Sequence, residues 1–220
     1  MTDSMPRVPR LVRLYHRYLL EEDSARFIRS VADYYMTPTL ARLAGAGDRT
    51  VRRAAVMALG YLGDYQVNST MGRALLDRDR GVRLIAENAI RDIWKRDGAD
   101  EHQKRLEVVV RWNGCGQFDA AADAARVLIE ECPWYAEAWN QRAIALFQMA
   151  QFDASADDCQ QTLELNPYHF PAAIGMGQCY LELDDLVSAL ECFRRGLKLN
   201  PNLESVRAQI HYLQRSLEGR

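Results

Sequence analysis

The chain has 220 residues, 48% of them apolar and 26% charged, which is enough for one large or two small domains with a packed core and excludes disorder as the main theme. No run of about 18 consecutive apolar residues occurs, so no membrane-spanning helix is expected. The net charge of -2 hides an asymmetry: 17 Lys+Arg stand against 12 Asp+Glu up to Ala99, and 11 against 18 from Asp100 onward, about +5 followed by about -7.

In chain order, residues 8–36 give two helical stretches, PRLVRLYHRYLL and SARFIRSVADYY, so segment 1–38 reads as a degenerate repeat unit or an N-terminal cap. Arg13, His16 and Arg17 interrupt the first apolar stretch and no small-residue cleavage site follows, which argues against a signal peptide. Residues 39–98 repeat at a spacing of 31: Asp48, Val51, Arg52, Ala55, Ala58 and Leu59 are answered by Asp79, Val82, Arg83, Ala86, Ala89 and Ile90. Aspartate at a helix start caps free N–H groups, while Val, Ala and Leu at 3–4 spacing supply a buried stripe. The string from Asp48 through Asp64 resembles HEAT-like repeats, particularly the short bacterial kind found in phycobilisome lyases. In that family Arg52 and Arg83 would pair with Asp48 and Asp79.

KRDGAD, residues 95–100, is the one clear breaker cluster, too short for a free linker, so one continuous superhelix with a change of repeat type at Gly98 is expected. Beyond it, Pro133, Pro167 and Pro201 recur every 34 residues and divide the chain into units 102–135, 136–169 and 170–203, each a helix, a turn and a second helix. Gly177 and Ala189 are small where antiparallel helices must touch, and Tyr180 and Phe193 fill the space beside them. Trp139, Ala143, Leu146, Pro167, Gly177, Tyr180, Ala189, Phe193 and Pro201 fit the signature of tetratricopeptide repeats, which units 136–169 and 170–203 resemble; unit 102–135 keeps Trp112, Ala121 and Pro133. Residues 204–220 carry a polar face and no second helix, as a terminal cap would. The fold implied is all-α, a right-handed α–α superhelix of HEAT-like followed by tetratricopeptide repeats.

The sequence is poor in chemistry. Its five cysteines lie in the second half without a C-x-x-C pair, and its four histidines are scattered, so no disulfide framework, metal site or cofactor is expected and the chain reads as reduced and cytoplasmic. Cys159 and His169 are the nearest approach to a thiol–imidazole pair, and Asp157–Asp158 and Asp184–Asp185 read as a solvated face. Arg142, at a position where the repeat usually has leucine, reads as a stem that packs and a head that reaches water. No phosphate-cradling glycine motif is present, and no enzyme is expected.

Binding is better represented. The resemblance implies a concave groove lined by first helices, here Gln103, Leu106, Val110 and Asn113, then Glu137, Asn140, Ile144, Phe147 and Gln148, then Ile174, Gln178, Leu181 and Glu182. Such a surface suits a peptide segment of a partner protein, with amides on its backbone and apolar residues on its side chains. The clamp that holds a heat-shock protein's C-terminal carboxylate in tetratricopeptide co-chaperones is expected to be absent, because its positions read Leu106, Val110, Gln141, Pro171 and Gly175. Two alternatives stand beside this scaffold reading. Arg49, Arg53, Arg78 and Arg80, with Arg52 and Arg83, form a candidate surface for an anionic partner such as nucleic acid. Fold analogy alone would make the chain a lyase-like or protein-modifying accessory factor.

Overall fold

A computed structural model describes residues 9–218, so residues 1–8 of the N-terminal segment and residues 219–220 of the C-terminal cap lie outside the described residues. Thirteen α-helices and one short 3₁₀ turn make up the described secondary structure, with no strand among the described residues. The chain divides into two compact units at Ile93/Trp94, within the helix that carries both residues.

The first unit holds α1 (Arg10–Glu21), α2 (Ser24–Ala32), α3 (Thr37–Ala46), α4 (Arg49–Leu62), the 3₁₀ turn Tyr65–Val67, α5 (Asn68–Ala74) and most of α6 (Arg80–Lys95). Asp48 starts α4 by accepting from the N–H groups of Thr50 and Val51, and Asp79 does the same for Val82 at the start of α6. The 31-residue stripe is the core: Val51, Ala55, Ala58, Leu59, Val82, Ala86 and Ile90 are all buried. At Gly60 a Cβ would lie 2.5 Å from that of Ala89, so the glycine sets how closely α4 approaches α6. In the N-terminal stretch, α1 and α2 pack on each other and on α4; Phe27 is buried and its ring meets Tyr18 at 5.4 Å and Tyr61 at 6.4 Å.

The second unit runs through α7 (Asp100–Gly114), α8 (Phe118–Glu131), α9 (Ala136–Gln148), α10 (Phe152–Leu165), α11 (Phe170–Glu182), α12 (Leu186–Leu199) and α13 (Glu204–Glu218). Each helix packs on the next, and the first helices α7, α9 and α11 also adjoin in order. The turn inside each pair repeats at the 34-residue spacing. Gly116, Ala150 and Asp184 hold left-handed backbone at φ 74°, 57° and 57°. In each, the next residue's N–H reaches back to a carbonyl five residues earlier: Gln117 to Trp112, Gln151 to Leu146 and Asp185 to Tyr180. At Gly177 a Cβ would stand 2.8 Å from the buried Phe193 ring, the small-against-large contact expected between α11 and α12.

Candidate functional site

The first helices of the second unit do not contribute equally to an open face. Leu106 on α7 is 1% exposed, in a cluster with Leu128, Ile129, Cys132, Tyr135 and Ala138, and Val110 packs against the same cluster. Asn113 donates through Nδ2 to both the carbonyl and Oε1 of Gln141, tying α7 to α9, and Gln103 donates to the Gly98 carbonyl. The expected groove residues of this helix are therefore largely spent on packing and internal hydrogen bonds.

On α9 and α11 the groove is open. A cleft of about 560 Å³ brings together Asn140, Ile144, Phe147, Gln148, Ile174, Gln178, Leu181 and Glu182, eight of the expected residues, with Gln209 from α13 on one rim. Its floor contains Pro171, Gly175, Ala143, Ser155 and Cys159, which sequence reasoning left out of the groove. The signal for two of them is the absence of a long side chain: Pro171 and Gly175 project little from α11 and leave space there. A Cβ at Gly175 would meet only Cys159 Sγ, at 3.3 Å.

Beneath the cleft lies a buried polar network. Glu137, expected in the groove, is instead 5% exposed. Its Oε1 accepts from Asn140 and Gln141, and its Oε2 pairs with His169 Nε2 at 2.9 Å. His169 Nδ1 accepts from the Ala172 N–H, capping α11 and leaving the proton on Nε2, and its ring stacks on Trp94 at 4.2 Å. Burial pushes the Glu137 carboxyl upward, but donation by His169, Gln141 and Asn140 outweighs it and holds the group below the usual carboxylate range. This network fixes the relation of α9 to α11 from below.

That commitment of His169 removes it as a base for Cys159. Burial raises the Cys159 thiol well above its ordinary value and pushes Cys192 up to about 11; Cys132 and Cys179 shift the same way. Such thiols carry little thiolate near neutral pH. Among the described residues, no group of three or more His, Cys, Asp or Glu is placed to hold a metal ion.

Two charged positions differ from expectation. The head of Arg142 is held mainly by an ion pair rather than by water. Its Nε and Nη2 each bond an Asp158 oxygen at 2.7 Å, its guanidinium lies 4.9 Å from the Trp139 ring centroid, and Asp158, far from a solvated face, is buried. Asp157, Asp184 and Asp185 remain at least partly exposed.

In the first unit, Arg52 pairs with Asp77 rather than Asp48, through two bonds of 2.7 and 2.9 Å, and donates to the Gly47 carbonyl. Arg53 makes the corresponding pair with Asp79, and Arg83 donates to the carbonyls of Asp77 and Arg78. The Arg53 guanidinium holds Asp79 down to about 2. Of the candidate anionic-partner surface, Arg49, Arg78 and Arg80 are exposed, whereas Arg53 is committed to an ion pair.

Comparison with known proteins agrees with the helix-pair geometry. The tetratricopeptide repeat model matches residues 136–169 and a second such model residues 171–203. A TPR repeat-containing protein of Rhizobium etli is 26% identical over 147 residues, 65% of this chain and 70% of its own. The Hsp70-Hsp90 organizing protein of Triticum aestivum is 28% identical over 93 residues, covering 42% of this chain but only 16% of that protein. Among solved structures, the first TPR domain of Spaghetti (RPAP3) bound to an HSP90 peptide, SRMEEVD, superposes with a TM-score of 0.53 at 21% identity, over 55% of this chain and 96% of that one. The Sgt2 TPR domain from Aspergillus fumigatus gives 0.51 at 17% identity, over 55% and 81%. The chain thus carries two tetratricopeptide repeats, at 136–169 and 171–203.

Proposed function

We propose that the chain is a non-enzymatic scaffold that holds a peptide segment of a partner protein in the cleft between α9, α11 and α13. The observation that carries this reading is the cleft itself, which collects Ile144, Phe147, Ile174 and Leu181 with the amides of Asn140, Gln148, Gln178 and Gln209. Apolar side chains of the segment sit against the first group, and the amides that remain free satisfy its backbone. The buried Glu137–His169 network beneath keeps the walls in place, so binding spends little free energy on ordering the receptor.

Similarity to a domain that holds an HSP90 peptide supports a peptide-binding role for the helix-pair fold. The segment we infer differs from a C-terminal carboxylate: Leu106, Val110, Gln141, Pro171 and Gly175 stand at the clamp positions, and none of them is cationic. In this reading helices α3 to α6 are HEAT-like repeats, the α7–α8 pair is a third tetratricopeptide unit, α13 closes the stack, and the protein acts in the cytoplasm.

Cross-linking mass spectrometry on the native complex tests the assignment. Cross-links from the partner are expected to concentrate around α9 and α11 and to disappear in the Phe147→Ala/Ile174→Ala variant. Unchanged cross-links in that variant, or cross-links confined to the first unit, would remove the cleft from the account.

A further inference from the structure

The second unit has another cleft, of about 620 Å³, on the far side of α9. At 100° per residue Arg142, Leu146 and Met149 point away from Asn140, Ile144 and Phe147, so the two clefts share a helix but not a face. Trp139, Leu146 and Met149 give this cleft apolar walls, and Asp119 from α8 and Asp157 from α10 stand exposed at its rim.

Its charge balance is one-sided. Arg142 is neutralised by Asp158, and Arg126 is met by Asp123 at 3.7 Å and Glu130 at 2.9 Å. Asp119 and Asp157 have no cationic partner among the described residues. Arg142 also keeps Nη1 without an acceptor among the described residues, as a donor in the floor.

We propose that this cleft binds a segment of a partner protein in which a lysine or arginine adjoins an apolar residue. The cation sits between the rim aspartates, the apolar side chain lies against Trp139, Leu146 and Met149, and Arg142 Nη1 donates to a backbone carbonyl of the segment. Carboxylates at the rim repel an anionic ligand, while the apolar walls favour a peptide over a bare cation. This site is independent of the cleft across α9.

The full chain, isotope-labelled, is titrated with an end-blocked peptide of alternating leucine and lysine, and separately with its leucine–glutamate counterpart. The reporter is the Trp139 indole N–H, which donates to the Pro133 carbonyl at 2.9 Å. Saturable shifts of that signal and of α8 and α10 amides are expected with the lysine peptide alone. The dissociation constant should rise about tenfold or more in Asp119→Asn/Asp157→Asn, stay within about twofold in the charge-matched Glu107→Gln/Glu191→Gln control, and be unmoved by Phe147→Ala/Ile174→Ala. No saturable shift, equal weakening by both charge-removing pairs, or loss in the Phe147→Ala/Ile174→Ala variant would each overturn the proposal.

Discussion

Replacing Arg142 with leucine puts an apolar side chain beside Trp139, yet the structure predicts a clear loss of stability. Asp158 is buried, with 5% of its side chain exposed, and both its oxygens accept from Arg142 at 2.7 Å. Arg142→Leu leaves that largely buried carboxylate without either donor. Removing one partner of a fully buried pair costs about 3–5 kcal/mol; because the Arg142 side chain is 21% exposed and water can reach the vacated space, about 2–4 kcal/mol is expected here. Arg142→Leu/Asp158→Leu removes the stranded charge and substitutes apolar contact with Trp139 and Leu146, so it should fall within about 1 kcal/mol of the wild type. Urea unfolding of the four proteins of the cycle, followed by far-ultraviolet circular dichroism, gives both numbers. A single variant within about 0.5 kcal/mol of the wild type, or a double variant less stable than the single, would show that the pair is not the buried unit described.

The remaining predictions concern the turn geometry and the acid limb of stability. Ala150 holds a left-handed conformation that glycine adopts freely, so Ala150→Gly should stabilise the chain by about 0.5–1 kcal/mol, and Gly116→Ala should destabilise it by about 1 kcal/mol, in thermal melts. The opposite signs would mean that these turns do not share one backbone. Asp79 titrates at about 2 in the folded chain against about 3.9 unfolded, so its contribution is present above about pH 4 and is lost as pH falls toward about 2. Asp79→Asn keeps an oxygen for the Val82 N–H but cannot ionise. The variant's urea midpoint should therefore fall less between pH 5 and pH 3 than the wild type's; an equal fall would remove the Arg53–Asp79 pair from the pH response.

Repeat periods carried far into the structure because they report small and apolar residues directly. Gly177 against Phe193 and the buried stripe from Val51 to Ile90 follow from spacing, whereas the cleft face of α9 and α11 follows from the resemblance, which assigns the groove to positions left over from packing. The same rule misplaces Leu106, Val110 and Asn113. Helix α7 lies under Tyr135 and Leu128 of its own unit and is tied to α9 through Gln141, so its leftover positions are covered. Charged residues escaped the reading for another reason. Periodicity marks a polar side chain as outward, but Glu137 finds His169 32 residues away, Arg142 finds Asp158 16 away and Arg52 finds Asp77 25 away. A buried charge is tolerable only with such a partner, and no spacing rule along one helix announces a partner on another.

The most direct test of the scaffold reading is an affinity measured on a defined ligand. Peptides selected from a random library on the immobilised full chain are titrated against the wild type, Phe147→Ala/Ile174→Ala and Gly175→Met; the last fills the cleft from a position whose Cβ meets only Cys159 Sγ. Circular dichroism first confirms that each variant keeps its helix content. The dissociation constant should rise by about tenfold or more, about 1.4 kcal/mol, in both variants. An affinity unchanged in both would contradict the assignment of the cleft between α9, α11 and α13 as the peptide-binding site.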